Sequence, residues 1–124
     1  MIDDKIYQNI YDELSKFLFV NWERLIVYLE YGEASYTFSF YEKIGGEYIK
    51  CYDIPNVSED DLFASFKAID KIVSIERAKE KGELWSNMTM VVTSSGDMKA
   101  DFDYTDLSEG TYEFKKEWKK KYLI

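Results

Sequence analysis

The sequence predicts an α+β fold, a single domain over residues 1–124 with helices packed on an antiparallel sheet in the order αβββαββα. Three patterns predict it. Apolar residues recur at helical spacing near both ends and across the middle, an unbroken apolar run covers Leu25 to Leu29, and two-residue alternation marks Met88 to Tyr104. Such a mixture, without internal repeats or linkers, calls for one sheet covered by helices. At 124 residues and 46% hydrophobic content, the chain can bury about two thirds of the surface its unfolded form exposes.

Ile6, Tyr7, Ile10, Tyr11, Leu14, Phe17 and Leu18 predict an amphipathic helix from Asp3 to about Leu18, with Asp3 or Asp4 as its cap. Its apolar stripe is needed to cover the sheet. The run at Leu25–Leu29, within Arg24 to Tyr31, reads as a central strand with both faces covered. After Gly32, Tyr36, Phe38 and Phe40 alternate with Thr37, Ser39 and Tyr41, and the second row looks half-buried. Gly45 and Gly46 turn the chain into a third strand, Glu47 to Asp53, so they lack the strand-to-helix setting of a phosphate loop. Pro55 ends that strand. Ser58 and Asp61 resemble a capping box opening a long helix with Leu62, Phe66, Ile69 and Val73 as its stripe, widened by Ile72 and Ile75. Gly82 is its stop, Lys79 and Lys81 suit its negative end, and the mixed charges Asp60, Asp70, Glu76, Glu80, Lys67, Lys71 and Arg77 read as a solvated face.

Met88, Met90 and Val92 on one arm of a hairpin, and Met98, Ala100, Phe102 and Tyr104 on the other, must share a face. An even loop would set Val92 against Lys99. A three-residue loop of Ser94, Ser95 and Gly96 restores the match, with glycine in the left-handed position of a type I turn plus bulge. This register places Val91 by Lys99, Thr89 by Asp101 and Asn87 by Asp103 on the other face, with Asp106 and Glu109 following. Asp101 and Asp103 are then roughly 7 Å apart and repel by under about 1 kcal/mol. A solvated surface tolerates that. Leu107 to Thr111 should be a turn, and Phe114, Trp118 and Tyr122 give a terminal helix, Tyr112 to about Tyr122, one apolar seam.

The run Trp85-Ser86-Asn87-Met88-Thr89-Met90, the Ser94-Ser95-Gly96 turn, and the run from Asp101 to Leu107 with its aromatic, charged tail resemble the YezG-type immunity proteins of Gram-positive bacteria. The resemblance covers most of the chain, and this hairpin is its sharpest motif. It implies a small cytoplasmic antitoxin, without catalysis or cofactor, that binds and silences a cognate secreted toxin, often a nuclease, in the producing cell.

Charge and composition fit that expectation. The net charge is −8, but the last ten residues hold five lysines against Glu117, a balance of +4, so the first 114 carry −12. An acidic body speeds encounter with basic partners and disfavours phosphate backbones; solubility is the plainer use of the same charge. Eleven tyrosines, eight phenylalanines and three tryptophans suit both core edges and recognition surfaces. Cys51 is the one cysteine, and the start Met-Ile-Asp-Asp has neither a basic leader nor an apolar span, so a reducing, cytoplasmic setting is expected and no membrane.

The search for chemistry narrows the functions. With no histidine, histidine general bases, nucleophile pairs and metal sites drop out, and Cys51 sits in a predicted strand without a neighbouring activator. Asp101 and Asp103 start like a calcium loop, but Asp106 stands where glycine is required and Tyr112 where glutamate is. A magnesium-dependent hydrolase would need Asp53 brought to those carboxylates by folding. Five lysines with Trp118 and Tyr122 invite a nucleic-acid reading, set against simple docking on an acidic body. The reading adopted is toxin binding through Asp101, Asp103, Asp106 and Glu109, with Tyr112 as aromatic anchor, no metal, no cofactor and no direct nucleic-acid contact. A hydrolase and a structural adaptor are the alternatives.

Overall fold

A computed structural model describes residues 4–124. Three helices, α1 (Asp4–Leu14), α2 (Glu59–Ala78) and α3 (Tyr112–Tyr122), accompany five strands: β1 (Arg24–Tyr31), β2 (Tyr36–Ile44), β3 (Glu47–Lys50), β4 (Asn87–Thr93) and β5 (Met98–Asp103). The strands form one antiparallel sheet in the order β3-β2-β1-β4-β5, so the expected α+β order αβββαββα holds.

The sheet is covered on both faces. On one, Leu25, Val27 and Leu29 meet Phe38, Phe40, Met88 and Met90 beneath α1 and α2. On the other, Ile26, Tyr28, Tyr41 and Val91 meet Trp118 and Tyr122 of α3. The unbroken apolar run of β1 follows from this, because alternate residues feed two different cores. The row Thr37, Ser39, Tyr41 differs from its half-buried expectation: Ser39 and Tyr41 are buried while Thr37 is exposed. The cause is α3, whose Trp118 ring lies 5.7 Å from that of Tyr41.

The β4–β5 hairpin adopts the register that parity requires, Val92 opposite Met98 and Thr89 opposite Asp101. Gly96, at φ +102°, donates its N–H to the Thr93 carbonyl and closes the three-residue loop.

Several boundaries shift. Asp3, one of the two proposed caps of the first helix, lies outside the described residues, and α1 gives way at Ser15–Phe17 to a 3-10 turn that seats Phe17 on Phe40. The third strand stops at Lys50, and Cys51–Asp53 form a 3-10 turn that buries Cys51. Ser58 caps α2 by accepting the Asp61 N–H at 3.1 Å. That helix ends at Ala78, before Gly82, and Ile75 is exposed instead of widening the stripe. Its polar face is also less free than expected. Asp70 accepts from the Tyr31 hydroxyl at 2.7 Å, and Arg77 lies over the Tyr31 and Trp85 rings while donating to the Trp85 carbonyl. No helix among the described residues is long and apolar enough to cross a membrane.

Candidate functional site

Asp101 and Asp103 project from β5 on the face that α3 covers, and the structure holds both half-buried where a solvated row was expected. The reason is the terminal seam. Trp118 is buried and donates its indole N–H to Thr89 Oγ1 at 2.8 Å, which draws α3 down beside β5. Asp101 then accepts from the Tyr122 hydroxyl at 2.7 Å. Burial and this acidic neighbour raise the Tyr122 pKa, so the phenol stays a donor. Asp103 accepts the Thr105 N–H at 2.7 Å and an Asn87 amide N–H at 3.5 Å. Burial works against ionising it, but these bonds and the Lys121 charge outweigh that and keep its carboxyl below the usual range. A cleft of about 180 Å³ separates these carboxylates from Glu117 and Lys121.

The remaining expected site residues follow in the β5–α3 loop. Asp106 is exposed and accepts the Ser108 N–H at 3.0 Å, which lowers its pKa. Glu109 is exposed in a turn closed by the Gly110 N–H on the Leu107 carbonyl. Tyr112 is 77% exposed, but it borders a hollow with Lys115, Lys116 and Lys119. The structure thus pairs Asp101 with Asp103, leaves Asp106 and Glu109 on the loop, and sets Tyr112 among cations.

Asp106 also borders a groove of about 500 Å³ at the end of the sheet, whose walls include Glu30, Glu33, Glu83, Arg77 and Tyr104. Four carboxylates and Arg77 line it; Arg77 is engaged by Trp85 and Tyr31, and Glu30 accepts from the Tyr28 hydroxyl with the Lys115 charge nearby. Sequence reasoning missed Glu30, Glu33 and Glu83 because three separate segments supply the walls. The one available signal was Glu30, an acidic residue directly after the apolar run Leu25–Leu29 of β1, which the sheet pairs with Asn87.

Other chemistry finds little support in the geometry. Asp53 follows β3 and Asp101 lies on β5, at opposite edges of a five-stranded sheet, about 19 Å apart by strand spacing alone. No group of three or more Cys, Asp or Glu side chains able to hold a metal gathers among the described residues. Burial pushes the Cys51 thiol pKa up, the reverse of what a nucleophile needs. Of the five terminal lysines, Lys115 packs on the sheet, while Lys116, Lys119, Lys120 and Lys121 are exposed. The Lys115 Nζ sits 3.4 Å from the centre of the Tyr28 ring, and burial lowers its pKa to about 8 despite the nearby charge of Glu30.

The chain is 29% identical over 110 residues to Immunity protein YezG of Bacillus spizizenii, covering 82% of this chain and 68% of that protein. It is 26% identical over 110 residues to Immunity protein YezG of Bacillus subtilis strain 168, covering 82% and 73%. The family model for YezG-like immunity proteins matches residues 4–123, and the chain therefore belongs to the YezG-like immunity protein family.

Proposed function

We propose that this protein binds and neutralises a cognate secreted toxin in the cytoplasm of the cell that makes it, without catalysis, and that the toxin's contacting surface is basic, as in the cleft of a nuclease. The observation that carries this reading, beside family membership, is the concentration of carboxylates at one end of the sheet. Asp106 borders the groove with Glu30, Glu33 and Glu83, Asp101 and Asp103 line a second cleft beside Glu117, and Glu109 is exposed on the loop that follows. A cleft built to attract a polyanion is attracted equally to such a row. Tyr104, 47% exposed in the groove wall, and Tyr112 offer aromatic anchors beside it.

The test is charge reversal on the loop, Asp106→Lys with Glu109→Lys, against the basic domain of the toxin encoded in the neighbouring reading frame. Association at low salt should slow by about tenfold or more, while thermal unfolding of the free protein stays put. An unchanged association rate removes this loop from the interface.

A further inference from the structure

The β5 strand is an open edge. It pairs with β4 alone, and the alternation of its hydrogen bonds fixes which backbone groups are spare. The Thr93 N–H donates to the Asp97 carbonyl, so the opposed pairs at two-residue steps, Val91 with Lys99 and Thr89 with Asp101, are the bonded ones. The N–H of Tyr31 on the Ser86 carbonyl and of Ser94 on the Glu23 carbonyl give the same phase from the β1 side of β4. Met98, Ala100 and Phe102 consequently turn their N–H and C=O groups away from the sheet.

Only charge blunts this edge, through Lys99, Asp101 and Asp103. It contains no proline, and its glycine bulge lies beyond Met98, at the hairpin tip. The opposite edge, β3, has only four residues before it curls into the turn at Cys51–Asp53.

We infer that a strand of the toxin adds to β5 as a sixth strand of the sheet. This rests on the toxin-binding reading above and specifies how binding occurs. Charge selects the occupant. On the α3 side the added strand meets Lys99, Asp101 and Asp103, and on the other side Met98, Ala100 and Phe102. It should therefore alternate apolar residues with charged ones, Lys or Arg opposite Asp101 and Asp103 and an acidic residue opposite Lys99. A second copy of this chain is disfavoured, since it brings another body of net charge −8. Main-chain bonds would supply the affinity and the two alternating rows the specificity.

Amide hydrogen exchange on the full chain tests this, with and without the toxin domain from the adjacent reading frame. In the free protein the Met98, Ala100 and Phe102 amides should exchange fast and those of Lys99 and Asp101 slowly, and in the complex the first three should slow at least tenfold. Ala100→Pro removes one outward donor and no β4 bond, and should weaken binding at least tenfold with the melting temperature nearly unchanged. Binding of wild type with those three amides unchanged overturns edge addition and leaves toxin binding standing. No binding by wild type overturns both. Protection already present without toxin, and rising with protein concentration, makes a second copy the occupant and overturns the proposal.

Discussion

Glu42 sits on β2 with no exposed surface, pointing into the α1–α2 core, where one oxygen accepts the Phe19 N–H at 2.9 Å and the other has no partner. Burial raises its pKa above the ordinary 4.5, and the Phe19 bond only partly offsets this. Below the unfolded value the group is neutral in both states and imposes no electrostatic cost. As pH rises through the raised native value, the folded protein holds a proton that the unfolded chain has released, so stability falls. Glu42→Gln keeps an acceptor for Phe19 and removes the charge. Denaturant melts across the acidic to neutral range should show a flatter pH profile than wild type, with a gain in stability at neutral pH. A steeper profile, or a loss at neutral pH, would mean that the carboxylate is satisfied in a way the fold does not suggest. No periodicity argument could find this residue, because an acidic side chain at a core-facing strand position reads as an edge or an error.

Among the elements, α3 explains most of what sequence reading misjudged. Its boundaries and its seam of Phe114, Trp118 and Tyr122 were legible, since four-residue spacing needs no tertiary information. Which surface it would cover was not, because the partner residues Ile26, Tyr28, Tyr41 and Val91 lie far off in sequence. That one docking event changed the reading of Ser39, Tyr41, Asp101 and Asp103 together. The contact that locates it is the Trp118 indole on Thr89. Thr89→Val leaves a buried N–H unpaired and should cost about 1–3 kcal/mol, with faster amide exchange concentrated in α3. Trp118→Ala should cost about 3–5 kcal/mol. Equal destabilisation of α1 in the Thr89→Val variant would show that the helix does not open separately from the sheet.

For the whole molecule, the order of elements along the chain and the hairpin register followed from local patterns, the register because a one-residue slip on a sheet reverses every side chain. The groove did not, being assembled from segments around residues 30, 83 and 106. Charge is also segregated at this scale. The groove gathers Glu30, Glu33, Glu83 and Asp106, while Lys115, Lys116 and Lys119 border a separate hollow on α3. A basic toxin should therefore approach one end preferentially, and its association rate should drop steeply as salt rises from about 0.01 to 0.15 M, where the screening length shortens from about 30 to 8 Å. Stopped-flow rates independent of salt would argue against electrostatic guidance.

The short loop at Ser94, Ser95 and Gly96 has a consequence for how such a protein can diversify. In the proposed edge addition, positions 99, 101 and 103 meet the toxin, and their side chains can change while the backbone remains intact. Losing or gaining a single residue at the hairpin tip would rotate the following strand by half a turn, sending its carboxylates into the oily interior. Relatives that track changing toxins should accordingly vary those three positions while conserving the length of the tip.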